Sequence, residues 1–238
     1  MLSARGLTAG WIPDRPVIHD LDLDLHPGEV LGLQGPSGSG KSTLARVLAL
    51  LHPPTAGTLH LDGTPITRYR YAAPRHLRTR LAILFQHPRL SVDPRLTLHQ
   101  SIAEPLLANG RRAEAAQRLP AVVNAVGLTD ELLSRRPHTV SDGQLQRACL
   151  ARALTLRPRY LICDEMTAML DASTTAALVH ALDTYRRDEG AAVLAISHDT
   201  TLLTHWAQRI QHLAPTDTTA PQPDPVPEYR AGPQPSRS

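Results

Sequence analysis

The chain has 238 residues, 42% of them apolar, enough to bury the core of one large domain or of one domain with an inserted lobe. Its formal charge of +3 comes from scattered arginines and not from a basic run, so no nucleic-acid partner is indicated. No stretch approaches the roughly 18 apolar residues of a membrane-spanning helix, and the first residues lack the apolar core of a secretory signal. Cys149 and Cys163 lie in apolar stretches without CxxC spacing, which favours two reduced, buried thiols in a cytoplasmic protein.

Two short strands are predicted near the start of the chain. Residues 21–25 alternate leucine with aspartate, as an antiparallel strand does when one of its faces is in the core. Trp11 ends an earlier short strand, and its ring could stack on a purine. A packing or surface role is about as common for a lone tryptophan, so this position stays open between the two.

A phosphate-binding loop is predicted at residues 35–43, which we call the phosphate loop. It has two glycines five apart followed by Lys and Ser, it follows an apolar run at 29–33, and a predicted helix at 44–51 comes after it. Glycine-rich backbone at a helix N-terminus can turn successive N–H groups towards a phosphate. The residues predicted to bind nucleotide here are Gly35, Pro36, Ser37, Gly38, Ser39, Gly40, Lys41, Ser42 and Thr43.

Two side chains of the phosphate loop have predicted roles. Lys41 would reach the β- and γ-phosphates, and the Ser42 hydroxyl would ligate Mg²⁺. Lys41 is also the only lysine of the chain, since every other residue of the 25 basic ones is arginine. The simpler alternative is a glycine-rich turn before an ordinary helix.

Gln86 follows the next predicted core strand. After a turn at 53–57 and a short strand at 58–61, an apolar strand at 81–85 ends before the sequence Gln86-His87-Pro88. A glutamine at the carboxyl end of a strand can reach Mg²⁺ or a water in a doubly wound sheet. An ordinary loop residue is the simpler interpretation of Gln86.

An α-helical lobe is predicted between about residues 88 and 150. Helical patterns at 98–107 and 111–126 replace the strands, and residues 140–144 lead into a further helix at 145–156. Ser141 with Gln144 three residues later forms a capping box, so residues 140–144 could simply start a helix.

Acidic residues follow the next apolar strand, at 160–165. Asp164 could hold Mg²⁺ through its water shell, and Glu165 could orient or deprotonate the attacking water. A charged turn is the simpler alternative. A helix at 172–187, a strand at 191–196 with His198 at its end, and a strand at 209–213 complete the fold. Residues 214–238 contain seven prolines and are predicted to be disordered.

Taken together, these residues resemble the ATPase subunit of an ABC transporter. Residues 35–42, Gln86, 141–144, 164–165, 170–171 and His198 have the order and approximate spacing of that family, and the similarity covers residues 1–213. The resemblance implies an α/β fold. It consists of a P-loop NTPase core of mostly parallel sheet with helices on both faces, an antiparallel β-subdomain and the inserted helical lobe.

The resemblance also implies site roles. The segment 140–144 corresponds to the family's signature, which binds the nucleotide of a partner subunit. Trp11 would stack on adenine, and Asp171 would mark the D-loop. The implied catalytic residues are Lys41, Gln86, Glu165 and His198, the implied metal ligands Ser42, Gln86 and Asp164, and the implied signature contacts to nucleotide Ser141, Gly143 and Gln144.

The implied cofactors are ATP and Mg²⁺, and the implied function is ATP hydrolysis that energises transport. The implied partners are a second ATPase subunit, identical or different, two transmembrane permease subunits and an extracytoplasmic substrate-binding protein. The chain would lie peripherally at the cytoplasmic face of the membrane. The sequence around residues 85–95 and 102–106 is similar to the importers of peptides and nickel.

The signature segment departs from the family's Leu-Ser-Gly-Gly-Gln, because Val140 replaces the leucine and Asp142 the first glycine. A carboxylate in the first turn of a helix gains roughly 0.3 to 1 kcal/mol. At about 6 Å from a partner's γ-phosphate it would be repelled by roughly 3 kcal/mol per charge pair. We therefore predict a heterodimer with unequal sites, in which the site facing Asp142 is weak unless the side chain turns away.

Two alternative classes remain, and a third is disfavoured. A soluble ABC protein of repair or translation usually has two cassettes or a coiled-coil insertion, and this chain has neither. A regulatory module that binds nucleotide without turnover is suggested by Asp142, although Glu165 and His198 argue against it. A P-loop kinase of small molecules would lack the signature segment.

Overall fold

The computed structural model describes residues 1–12 and 14–214. Its strands are β1 (Leu2–Ala9), β2 (Ile18–Leu25), β3 (Val30–Gln34), β4 (Ala56–Leu61), β5 (Thr64–Pro65), β6 (Leu81–Leu84), β7 (Tyr160–Asp164), β8 (Ala192–Ile196) and β9 (Arg209–His212). Its helices are α1 (Lys41–Leu48), α2 (Arg75–Arg78), α3 (Leu98–Ala108), α4 (Arg112–Ala125), α5 (Asp130–Ser134), α6 (Asp142–Leu154), α7 (Ala172–Glu189) and α8 (Thr200–Trp206).

A five-stranded sheet with the order β6-β7-β8-β3-β9 forms the centre, and every neighbouring pair in it is parallel. β7 and β8 are buried along their whole length, as expected of apolar strands covered on both faces. Because the strands are parallel, the segments that follow β3, β6, β7 and β8 leave the same edge of the sheet. That edge therefore brings together the phosphate loop, Gln86, Asp164 and His198.

A second sheet, with the order β2-β1-β4-β5, is antiparallel. Its inward leucines, among them Leu2, Leu25 and Leu59, share one core with Leu44 of α1 and Ile162 of β7. Helix α1 and this β-subdomain therefore cover one face of the parallel sheet. The predicted alternation at residues 21–25 is confirmed, with Leu23 and Leu25 buried in β2.

The helical lobe consists of α3 to α6, and it packs on the opposite face of the parallel sheet. Leu98 and Ile102 of α3 and Leu145 of α6 belong to one core cluster with Leu161 and Val193 of the sheet. Capping boxes start both α3 and α6, and both combine the side chain of the capping residue with a glutamine three positions later. The box predicted from Ser141 and Gln144 is confirmed.

The predicted helices and core strands agree with the structure to within a few residues. Four elements were not predicted, namely α2, α5, α8 and the two-residue strand β5. The disorder predicted for residues 214–238 falls almost wholly on residues that the structure does not describe. Of the helices within the described ranges, none combines the length and the apolar character needed to cross a bilayer.

Both cysteines are free thiols and buried, as predicted. Burial raises the pKa of Cys149 to about 12, and it raises that of Cys163 further. Both are therefore packing residues.

Candidate active site

The phosphate loop joins β3 to α1 with two glycines in the left-handed backbone region, Gly38 at φ +80° and Gly40 at φ +90°. At Gly40 a Cβ atom would also lie 2.9 Å from the Val17 carbonyl oxygen, so a larger residue would have to displace the backbone at Val17. The Lys41 Nζ atom donates to the carbonyl oxygens of Gly35 and Pro36, each at 2.9 Å. The backbone of the phosphate loop therefore curls around the ammonium group of Lys41.

Lys41 is 5% exposed at the start of α1. Burial lowers the pKa of its ammonium group, although the nearby carboxylates of Glu165 and Asp164 oppose that shift. A buried cation beside a helix N-terminus is suited to an anionic ligand such as a phosphate chain.

Ser42 and Asp164 meet at the carboxyl edge of the sheet. The Ser42 hydroxyl donates to the Asp164 Oδ1 atom at 3.0 Å. Asp164 is 4% exposed, and burial raises its pKa even though the hydrogen bond from Ser42 works in the other direction. A hydroxyl and a carboxylate in contact are oxygen donors of the kind that Mg²⁺ prefers, and this pair could hold one beside bound phosphates.

Glu165 leaves β7 in an unusual conformation, with φ at +51°. Its backbone N–H donates to the Ile196 carbonyl oxygen at 3.0 Å, which ties the end of β7 to the end of β8. Its Oε1 atom is 2.9 Å from Nε2 of His198, the residue that the structure places just beyond β8. The carboxylate and the imidazole therefore stand together next to Asp164, where either could hold a water molecule.

Gln86 follows β6 and is half-buried. It lines a pocket of about 310 Å³ together with residues of the signature segment and of the turn after Glu165, among them Asp142, Met166 and Leu170. Within residues 1–12 and 14–214, its side chain makes no hydrogen bond to Ser42 or Asp164.

The signature segment, residues 140–144, lies at the start of α6. Ser141 Oγ accepts from the Gln144 backbone N–H at 3.2 Å, and Gln144 Oε1 accepts from the Ser141 N–H at 3.0 Å. Gly143 lies close to α7, since a Cβ there would be 2.9 Å from the Thr174 Cγ2 atom. Among the residues that the structure describes, no hydrogen bond or ion pair connects 140–144 with 35–43, so the two segments are not joined within one chain.

Trp11 lies just after β1, and its side chain is 59% exposed. Its ring centroid is 4.6 Å from that of His52, and the guanidinium carbon of Arg46 is 5.6 Å from the same ring. The indole thus rests on α1 and on the segment that follows it, with a large part of its surface open to a further ring.

A protein-family model described as "ABC transporter" matches residues 18–168 of the chain. The chain belongs to this family. It is an ATP-binding protein of the ABC type and an ATPase, which confirms the resemblance found in the sequence.

Relatives with import functions in their names are similar over most of the chain. A glutathione import ATP-binding protein of Pectobacterium atrosepticum is 42% identical over 195 residues, which are 81% of this chain and 31% of that protein. A nickel import ATP-binding protein of Escherichia coli K12 is 37% identical over 209 residues, covering 87% of this chain and 78% of the relative. A probable peptide ABC transporter ATP-binding protein of Sinorhizobium fredii is 38% identical over 213 residues, 86% and 60% of the two chains.

Solved structures confirm the predicted fold class. The dimeric structure of MJ0796, a bacterial ABC transporter cassette, superposes with a TM-score of 0.77 at 24% identity over 90% of this chain and 94% of that one. A post-hydrolysis state of the same cassette, bound to ADP and Pi, gives a TM-score of 0.75 at 25% identity with the same coverage.

One interaction of the site was not predicted from the sequence. Arg89, three residues after Gln86, forms an ion pair with Asp142 across 2.8 Å, so the carboxylate does turn towards a partner of its own. The opposite charges of Arg89 and Asp142 are the one signal for this pair in the sequence. The two residues are 53 positions apart, so the sequence does not indicate that they meet.

Proposed function

We propose that the chain is the ATP-hydrolysing subunit of an ABC importer and energises uptake of peptides, nickel or related small solutes. The observation that supports this best is the group of side chains at one sheet edge: Lys41, the Ser42–Asp164 pair and the Glu165–His198 pair. The substrate class follows from the printed names of the glutathione, nickel and peptide relatives.

In this proposal the phosphate loop binds the phosphates of ATP, and Lys41 contacts the β- and γ-phosphates. Ser42, Asp164 and, through a water, Gln86 hold Mg²⁺, which neutralises charge on the phosphates when it is bound. Glu165 accepts a proton from the attacking water or orients it, and His198, 2.9 Å from Glu165, fixes the carboxylate and contacts the γ-phosphate. Trp11 stacks on adenine.

A second ATPase subunit completes each site. Among the described residues, Ser141, Gly143 and Gln144 make no hydrogen bond to this chain's phosphate loop, and we propose that they bind the nucleotide of the partner. The solved dimer of a related cassette supports a paired arrangement. Because Asp142 stands where the family has glycine, we propose two different subunits with unequal turnover. The ion pair with Arg89 reduces the repulsion of a phosphate but does not restore the small glycine, so the slower site is the one that faces Asp142.

The permease subunits would bind a groove of about 520 Å³ between the helical lobe and the rest of the chain. Its lining includes Leu51, Tyr71, Ile83, Glu104, Pro105 and Leu156. Tyr71 is 95% exposed and Leu51 43%, so apolar surface is open to a partner there. This arrangement implies a peripheral position at the cytoplasmic face of the membrane and, outside it, a binding protein that delivers the solute.

The test is ATP hydrolysis by the complex purified through this chain from its own host. We expect Glu165→Gln to lower turnover at least about tenfold at the site built on this chain's phosphate loop, because the water loses its base. The corresponding change in the partner subunit should cost less if the sites are unequal. Glu131→Gln is the matched control and should leave the rate unchanged, because the Glu131 carboxylate lies in α5 and pairs with Arg135.

Equal losses from the two glutamate changes would contradict unequal sites. Turnover that is absent from the intact complex, or insensitive to Glu165→Gln, would instead favour a nucleotide-binding regulatory protein. Purification without permease subunits would favour a soluble ABC protein.

A further inference from the structure

Arg89 joins the loop after Gln86 to the start of the signature segment through three contacts. Its Nη1 atom donates to the Pro137 carbonyl oxygen at 2.7 Å, and its Nη2 atom donates to the Val140 carbonyl oxygen at 3.0 Å. Nη2 also lies 2.8 Å from the Asp142 Oδ1 atom. One guanidinium group therefore holds both the backbone that leads into α6 and the carboxylate in its first turn.

The contact with Asp142 is an ion pair and not a hydrogen bond: Nη1 and Nη2 of Arg89 donate to the two carbonyl oxygens, and Asp142 Oδ1 has no hydrogen-bond partner within the described residues. Oδ1 is nevertheless buried against Arg89, while each side chain as a whole is 45% exposed. Ion pairs this exposed contribute little to folding. What the pair changes is the charge and the direction of the carboxylate at the N-terminus of α6.

This charge is the unusual feature of the segment. A carboxylate left free at this place would repel the phosphates that a signature is built to bind, whereas a carboxylate paired with arginine contributes almost no net charge. The start of α6 and the loop after Gln86 line the same pocket, and Arg89 of that loop lies 2.8 Å from the Asp142 carboxylate.

We infer that Arg89 is a positioning residue for the signature, which neutralises Asp142 and turns it away from the nucleotide of the partner subunit. The inference rests on the proposed function, since it concerns the site built by the partner's phosphate loop and this chain's signature. The inference also makes the partner's nucleotide site depend on the loop after Gln86, because Arg89 lies in that loop and contacts the signature segment.

The experiment measures ATP turnover of the purified complex in a Glu165→Gln background, where the remaining activity comes from the site facing Asp142. Arg89→Gln should lower that activity about tenfold, since it exposes an unpaired carboxylate to the phosphates. Adding Asp142→Asn to Arg89→Gln should bring turnover back to within about threefold of the background, because the charge is then gone. Raising the salt concentration should partly relieve the Arg89→Gln defect and leave the double variant unchanged.

Three controls separate charge from structure. Arg89→Lys keeps the charge but not the planar fork, and it should retain most of the turnover. Arg95→Gln removes another arginine from the same loop. Arg95 pairs with Asp93 and is 87% exposed, so no effect on turnover is expected. The thermal midpoint of each variant shows whether it is folded. If Arg89→Gln does not fold, the turnover of Arg89→Lys with and without Asp142→Asn tests the inference in its place.

The inference is overturned if Arg89→Gln has no effect, or if its defect survives Asp142→Asn, since the arginine would then act only through the two carbonyl groups. If no turnover remains in the Glu165→Gln background, the same variants are compared with Glu165 intact, and the same rescue decides. A wild-type complex without ATP turnover refutes the proposed function instead.

Discussion

Asp164 is a carboxylate that the fold buries at a cost. It is 4% exposed, and burial raises its pKa, so the metal-free folded chain disfavours the ionised form relative to the unfolded chain. Bound Mg²⁺ would remove that penalty by supplying positive charge. If Asp164 holds Mg²⁺ as proposed, stability and activity make opposite demands on this position.

We predict that Asp164→Asn separates the two properties. Magnesium-dependent turnover at this site should fall by about 100-fold or more, because the metal loses its carboxylate. The nucleotide-free chain should become more stable at pH 7, by up to about 1 kcal/mol. Turnover assays and urea unfolding measure both effects.

The pH dependence has a definite sign. A carboxylate with a raised folded-state pKa binds protons more tightly when folded, so the wild type loses stability as pH rises from the ordinary value of 3.8 through the raised one. The advantage of the Asn variant should therefore vanish below about pH 3.8. An Asn variant that is less stable than the wild type at pH 7 would contradict this account.

Residue patterns indicated the phosphate loop and the acidic pair Asp164–Glu165, because phosphate binding and water activation need particular residues at short spacings, and the roles of these residues stay predictions. The contact between Ser42 and Asp164 follows once both are placed at the carboxyl ends of parallel strands. The partner of Asp142 could not be predicted in this way. It depends on how the Gln86 loop folds over α6, and side chains in that loop have no periodic pattern.

At the scale of elements, periodicity predicted the long pieces. α3, α4 and α7 present apolar stripes, while β3, β7 and β8 are continuous apolar runs. α8 was missed because it is short and begins with two threonines, which are weak helix formers. Its start depends on Asp199, whose side chain accepts from the Leu202 N–H at 2.9 Å.

We predict that the cap of α3 stabilises the helical lobe without contributing to nucleotide binding. Thr97 Oγ1 accepts from the Gln100 N–H at 3.2 Å, so Thr97→Ala should lower the free energy of unfolding by about 1 kcal/mol. Thr97→Ser keeps the hydroxyl and should cost only a few tenths of that. ATP affinity should be the same in all three chains, and a shift in affinity would mean that the lobe is coupled to the phosphate loop.

At the scale of the whole molecule, Asp62 links the two sheets. It lies in the turn between β4 and β5, and it accepts from the Tyr160 hydroxyl at 2.6 Å, from Arg159 at 2.8 Å and from Arg80 at 3.1 Å. Burial by itself would raise the pKa of Asp62, but the Tyr160 hydroxyl, the N-terminal ammonium group of Met1 and Arg159 outweigh it and hold the pKa below its ordinary value.

We predict that Asp62→Asn lowers the free energy of unfolding at pH 7 by about 1 to 3 kcal/mol, because charged hydrogen bonds are lost. A lowered carboxylate pKa contributes stability that is present above the ordinary value of 3.8 and is lost as pH falls through the folded-state value. The difference between wild type and variant should therefore shrink below pH 3.8 in acid unfolding curves. A difference that stays constant down to pH 2 would show that charge is not the cause.

The position of Lys41 has a consequence for chemical labelling. It is the only side-chain amine of this sequence, it is 5% exposed, and its nitrogen is engaged by two carbonyl oxygens of the loop. Reagents that acylate amines therefore find no lysine side chain on the outer surface, and only the N-terminal amine of Met1 is open to them. Acylation of the lysine would fall in the proposed nucleotide site, where we expect it to abolish nucleotide binding, and a bound phosphate chain should shield that amine.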